Sequence, residues 1–248
     1  MAPSFEELRV RLIQIRLEPH VEHEERETFL KRTLLRSDQL LVTNAIRDPL
    51  TPDVAEGVDA ILIGGAGAFS VTRTYMWTQD LIDLVHHIYD RGTPLFGCCW
   101  GHQFIARAFG GEVINDPERS EMGCGAVQLT DEGLADPLFS FFPKTFKANM
   151  GHQDRVAVLP DNAVELASNA VAPYQAIRIE DKPIYGTQFH SELDAEAEHS
   201  RIIEYRSHYP LLTDEENFQR VVASLEPTTE VDTLLNRFLQ TFAVRSPA

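Results

Sequence analysis

Apolar and polar positions alternate at the start of residues 8–17. Leu8, Val10 and Leu12 are separated by Arg9 and Arg11 before the pattern continues through Ile13 and Ile15, which predicts a first strand. Residues 21–35 are charged, with apolar positions at Phe29, Leu30, Leu34 and Leu35, the spacing of an amphipathic surface helix. Leu40-Leu41-Val42 predicts a second strand. Asp59-Ala60-Ile61-Leu62-Ile63 is a short apolar run suited to a central parallel strand, and it empties into Gly64-Gly65-Ala66-Gly67. Residues 78–91 predict a helix with a buried stripe of Leu81, Ile82, Leu84, Val85 and Ile88 and a stop at Gly92. Pro94-Leu95-Phe96 closes another strand that runs almost directly into helical spacing over residues 103–109, ended by Gly110-Gly111.

Downstream the runs are shorter. Residues 112–115, 125–129, 145–149 and 164–167 read as strands between turns, the material of a small antiparallel extension. Residues 175–179 and 184–188 read as paired strands joined by Glu180-Asp181-Lys182-Pro183. Residues 196–209 and 214–225 read as acidic, partly amphipathic helices, separated by Pro210 and ended before Pro227.

Composition narrows the class. A chain of 248 residues with 43% hydrophobic content can bury a substantial core and fits one α/β domain. Twenty-two basic residues against 38 acidic ones give a net charge of −16, which opposes nucleic acid or an anionic membrane as partner and favours small molecules or proteins. No apolar run approaches the roughly 18–20 residues of a bilayer span, and residues 1–7 carry no signal-peptide pattern, so a cytoplasmic location is expected. Three cysteines, two of them adjacent, cannot form a disulfide framework.

The candidate chemistry lies at Phe96-Gly97-Cys98-Cys99-Trp100-Gly101-His102-Gln103. Glycines two positions before and after a nucleophile relieve the crowding of a strained strand-to-helix turn and leave the central side chain exposed. Cys99 has both, in Gly97 and Gly101, whereas Cys98 would have Phe96 and Trp100 there and reads as a packed strand residue. The helix that follows directs its free amides and positive dipole end at the Cys99 sulfur, favouring the thiolate. Other readings are weaker. A dinucleotide-binding G-x-G-x-x-G from Gly65 fails at Ser70, no phosphate-binding loop is present, and His20 and His23 lack a third and fourth metal ligand.

Gly97-Cys98-Cys99-Trp100-Gly101-His102-Gln103 resembles the G-x-C-x-G-x-Q elbow of class I glutamine amidotransferases. Tyr185-Gly186-Thr187-Gln188-Phe189-His190-Ser191-Glu192 is similar to that family's G-x-Q-F-H-P-E block, and Ile63-Gly64-Gly65-Ala66-Gly67 to its G-G-x-G turn. Ser191 stands where the family usually has proline, a change that loosens a turn without removing a chemical group. Leu234-Leu235-Asn236-Arg237-Phe238-Leu239 is similar to the family's closing helix.

The resemblance implies a three-layer α/β sandwich: a largely parallel central sheet with helices on both faces and a small antiparallel extension. It implies a single domain over residues 1–248, with an added helical segment at about 194–227 read as decoration on a stable core, the alternatives being a pocket cap or a subunit contact. It also implies a Cys99–His190–Glu192 triad, with Glu192 two residues from His190 and able to reach its far ring nitrogen. The amides of Gly65 and Trp100 become oxyanion donors. Asn149-Met150-Gly151-His152-Gln153-Asp154 is similar to the segment by which relatives contact the α-amino and α-carboxylate groups of glutamine, largely through backbone. Met150 and Gly151 therefore join Gln103 as substrate contacts, and His152 becomes a second acid–base candidate.

The implied reaction is hydrolysis of the glutamine side-chain amide, without metal or organic cofactor. Its ammonia would pass to a separate synthase subunit, for which this chain leaves no room. Two alternatives stay open: a free-standing γ-glutamyl peptide hydrolase with the same triad, and an inactive regulatory module.

Overall fold

A computed structural model describes residues 3–244. Strand β1 (Val10–Gln14) leads through helix α1 (Pro19–Thr33) to β2 (Leu40–Asn44) and β3 (Ala60–Ile63), and α2 (Thr78–Arg91) then precedes β4 (Leu95–Cys98) and α3 (Trp100–Ala108). Gly92 ends α2 in the left-handed region at φ 71°, the conformation expected of a glycine stop. Next come β5 (Glu112–Asn115), β6 (Glu121–Leu129), α4 (Asp131–Ala135), β7 (Thr145–His152), β8 (Asp154–Val158), β9 (Ala163–Ser168), β10 (Ala176–Ile179) and β11 (Ile184–Thr187). Helices α5 (Ala195–Glu204), α6 (Pro210–Thr213), α7 (Glu215–Ser224) and α8 (Leu234–Phe242) complete the described chain.

The main sheet has the order β2-β1-β3-β4-β11-β10-β9-β6-β7. Its first five strands are parallel to one another, and the pairings from β11 onward are antiparallel. Parallel strands must be covered on both faces, and β3 shows how the sequence meets this. Ala60 and Leu62 enter a core shared with Phe29 of α1 and Phe238 of α8, while Ile61 and Ile63 enter the opposite core with Leu81 of α2 and Phe104 of α3. The result is the expected three-layer α/β sandwich.

The antiparallel part differs in detail from the expectation. Strands β6, β7 and β9 extend the main sheet, and the separate antiparallel ribbon is β5 paired with β8. The apolar pattern did not reveal β8 because its first residues are held by polar contacts. Asn115 Nδ2 donates to Asp154 Oδ1 at 2.8 Å, and Arg155 pairs with Asp116 at 2.7 Å.

Helices α5 and α7 start at the N-caps Asp194 and Asp214, whose carboxylates accept from the amides of Ala197 and Asn217. Ile202, Leu212, Phe218 and Val221 give the added segment a small core of its own. Among the described residues no helix is long and apolar enough to cross a membrane.

Candidate active site

At the carboxyl end of β4 the chain bends into α3 through Cys99, whose backbone takes φ 48° and ψ −97°. This positive φ is unusual for a non-glycine residue and marks a held, strained turn. The neighbouring glycines make it possible. A Cβ on Gly97 would stand 2.6 Å from the Gly101 carbonyl oxygen, and one on Gly101 would stand 2.5 Å from that of Ile63. Cys98 is fully buried within β4, where burial, followed by the charge of Glu192, raises its thiol pKa well above the ordinary value. Cys99 instead lines a cavity.

Beyond β11, residues 188–192 bring His190 and Glu192 to the same end of the sheet. His190 Nδ1 lies 2.7 Å from Glu192 Oε1, with both side chains buried. Burial by itself would depress the imidazole, but its acidic neighbours Glu198 and Glu192, with Cys99, raise its pKa well above the usual value. Burial would likewise raise the Glu192 carboxyl, but His190 holds it below its ordinary range. Ser191 does not loosen this turn. It is fully buried, and its hydroxyl lies 2.8 Å from that of Thr187, which in turn donates to the Phe189 carbonyl at 3.0 Å.

The turn after β3 packs against this pair. A Cβ on Gly65 would stand 3.5 Å from His190 Cε1 and 3.6 Å from Glu192 Oε1. Gly65 therefore backs the imidazole, while Ala66 and Gly67 form the cavity wall. Behind Gly64 lies a buried ion pair, Arg16 Nη2 to Glu25 Oε1 at 2.6 Å, and Gln14 Nε2 donates to the second Glu25 oxygen at 2.9 Å. Trp100 opens α3, so its amide is one of the helix's free donors, and its ring stacks on Phe104.

Two cavities meet at Cys99. The larger, about 280 Å³, is bounded by Gly67, Trp100, Gln103, Gly151 and Asp154 among others; the smaller, about 30 Å³, is bounded by His190, Gly151, Glu198, Arg201 and Tyr205. Gln103 donates to the Asp154 carbonyl at 2.6 Å and to Gln188 Oε1 at 3.1 Å, and Gln188 Nε2 points at the Cys99 sulfur at 3.6 Å. Gly151 turns its carbonyl to Cys99 Sγ at 3.8 Å.

The Met150 side chain is buried in the core beside Gly125, which leaves its backbone, the expected mode of contact, for a substrate. His152 is no acid–base partner for Cys99, because its ring nitrogens face the Asp154 carbonyl at 3.1 Å and Glu121 Oε2 at 3.2 Å. His20 is exposed and pairs with Glu204, and among the described residues no group of three or more His, Cys, Asp or Glu is placed to hold a metal ion.

Of the added helices, α5 supplies Glu198, Arg201 and Ile202 to the smaller cavity, the arrangement that the pocket-cap alternative expects of it. Burial pushes the Glu198 carboxyl up, against the pull of His190. Arg16, at the end of the first predicted strand, and Glu25 and Glu198, in charged predicted helices, are not marked by the sequence pattern. No local signal sets them apart.

Comparisons with known proteins agree on one family. The family model described as Glutamine amidotransferase class-I matches residues 23–207. A glutamine-hydrolyzing GMP synthase of Aliivibrio fischeri is 36% identical over 135 residues, covering 54% of this chain and 24% of that protein. A glutamine-hydrolyzing GMP synthase subunit of Pyrococcus furiosus is 35% identical over 122 residues, covering 49% of this chain and 62% of that one. The match thus spans about a quarter of the longer synthase and under two thirds of the Pyrococcus protein. The crystal structure of a glutamine amidotransferase from Thermotoga maritima superposes with a TM-score of 0.71 at 19% identity, covering 94% of this chain and 98% of that one. At that identity the likeness establishes the fold.

Proposed function

Because the chain belongs to the class I glutamine amidotransferase family, we propose that it hydrolyses the side-chain amide of glutamine through Cys99, His190 and Glu192. One observation carries the reading: Cys99 sits at a strained strand-to-helix bend and shares a cavity with His190, whose other ring nitrogen is held by Glu192.

In the proposed reaction the Cys99 thiolate attacks the side-chain carbonyl of glutamine, and the charge that develops on oxygen falls to the amides of Gly65 and Trp100. Collapse of the tetrahedral intermediate breaks the carbon–nitrogen bond, with His190 protonating the leaving nitrogen. Neutral His190 then takes a proton from water, which attacks the thioester and releases glutamate. Glu192 keeps the imidazole in the required tautomer and supports its charge. Gln103 acts through Gln188, fixing the amide that points at the sulfur, and the Gly151 and Met150 backbones border the substrate.

The Pyrococcus furiosus relative, which is a GMP synthase subunit, suggests that the ammonia passes to a separate synthase protein. An isolated glutaminase of this kind is expected to be slow alone, its partner completing the oxyanion site. The test is to incubate the purified chain with glutamine, measure glutamate and ammonia, and treat it separately with a diazoketone analogue of glutamine. Slow stoichiometric release and a covalent adduct on Cys99 are expected. Absence of both would overturn the reading.

A further inference from the structure

The leaving nitrogen of an amide must lie on the side of the sulfur from which His190 can protonate it. The two cavities at Cys99 differ in this respect. His190 borders the smaller and not the larger, so the γ-glutamyl body belongs in the larger and the departing nitrogen in the smaller. The smaller cavity, about 30 Å³, has room for roughly one or two water-sized groups.

Helix α5 contributes Glu198, Arg201 and Ile202 to its walls. Glu198 is 1% exposed, borders this cavity, and its Oε2 has no hydrogen-bond partner. A Cβ on Gly151 would stand 2.9 Å from Glu198 Oε1 and 3.4 Å from His190 Nε2, so the carboxylate and the free imidazole nitrogen flank the same missing side chain. Ile202 is one of the apolar side chains that border the chamber, with Met122 and Ala66. A buried carboxylate oxygen with no donor is costly unless a ligand supplies one, and an amide nitrogen beside His190 is such a donor.

Building on the glutaminase reading above, we propose that this chamber is the leaving-group site, that Glu198 accepts a hydrogen bond from the departing nitrogen, and that the chamber selects ammonia over substituted amines. As the sulfur–carbon bond forms and the carbon–nitrogen bond breaks, the nitrogen keeps its two hydrogens. It takes a third from His190 and leaves as ammonia with one N–H directed at Glu198. A γ-glutamyl dipeptide would have to place a whole amino acid there.

The test compares specificity constants for glutamine and γ-glutamylalanine in the unmodified protein and two variants. Glutamine is favoured by at least about tenfold, and a smaller ratio overturns the inference. Ile202→Ala enlarges the chamber and lowers that ratio by about tenfold or more; an unchanged ratio overturns the placement of the leaving group. Glu198→Leu loses at least about tenfold more activity on glutamine than on the γ-methyl ester of glutamate, whose leaving oxygen has no N–H to donate. Glu198→Gln, which keeps an acceptor oxygen, restores most of it. Equal loss on amide and ester removes Glu198 from this role, and the Ile202→Ala arm decides the matter should Glu198→Leu not fold. Failure of Cys99 labelling together with failure to hydrolyse glutamine, dipeptide or ester would overturn the glutaminase reading, and this inference with it. Efficient dipeptide turnover overturns the inference alone.

Discussion

The ring of Tyr205 occupies the place a side chain on Gly67 would take: a Cβ there would stand 2.6 Å from Tyr205 Cγ. Through this contact the turn after β3, which walls the candidate site, is fitted to the end of helix α5. Tyr205 also receives a hydrogen bond from Arg16 at 3.3 Å, so the helical segment is tied to the buried Arg16–Glu25 pair.

Gly67→Ala therefore has to displace Tyr205, and α5 with it. The expected outcome is a stability loss of about 1–3 kcal/mol, with a fall in glutamine turnover larger than that loss alone would cause. Thermal unfolding and steady-state kinetics on the same preparation check it. Full activity in Gly67→Ala would show that α5 is not coupled to the site.

The two adjacent cysteines should separate cleanly. Cys99→Ala abolishes turnover and labelling by a glutamine-like electrophile while leaving the fold intact. Cys98→Ala removes a fully buried thiol from a packed core, costing about 1–2 kcal/mol of stability, and retains both labelling and turnover. Mass spectrometry of the labelled peptide decides, and equal loss in two folded variants would remove Cys99 from its proposed role.

The elbow glycines are expected to be intolerant for a steric reason independent of chemistry. An added methyl at Gly97 runs into the Gly101 backbone, and one at Gly101 into the Ile63 carbonyl. Gly97→Ala and Gly101→Ala should each cost about 3 kcal/mol or more, visible as lost soluble expression or a lowered denaturation midpoint. A variant of near-native stability would mean that the bend at Cys99 relaxes more easily than its geometry suggests.

This elbow was legible in the sequence because its cause is local: two glycines at fixed offsets, an apolar strand before them and a helical pattern after. The parallel core was legible for a similar reason, as in the unbroken run Ala60-Ile61-Leu62-Ile63, which is buried on both faces. Glu198 was not. It stands in Ala195-Glu196-Ala197-Glu198-His199, where every acidic residue reads as solvated, and only the packing of α5 over Gly151 separates the buried Glu198 from its neighbours. The Arg16–Glu25 pair was hidden in the same way: nothing in residues 21–35 distinguishes the one glutamate that turns inward under Gly64.

The His190–Glu192 pair makes a prediction with a definite sign. His190 is faced by Glu192 two residues along, by Glu198 from α5 and by Cys99 from the elbow, with Arg16 of the β1 side near the same Gly65 turn. Its pKa is raised, so its contribution to stability is fully present below the ordinary imidazole value of 6.5 and is lost as pH rises through the higher value it has in the folded chain. The Glu192 carboxyl is lowered, so its contribution is present above the ordinary 4.5 and is lost as pH falls through its folded value. The pair should therefore stabilise the fold most between those two ordinary values. Glu192→Gln removes one negative charge from beside the imidazole. The variant's stability advantage below neutral pH should shrink relative to the unmodified protein, and the His190 pKa, followed by NMR of the ring, should fall. The chemical rate should drop by at least about tenfold with little change in substrate binding, since the proposed task of Glu192 is to hold the base and not the substrate. An unchanged rate together with an unchanged His190 titration would show that Glu192 orients nothing.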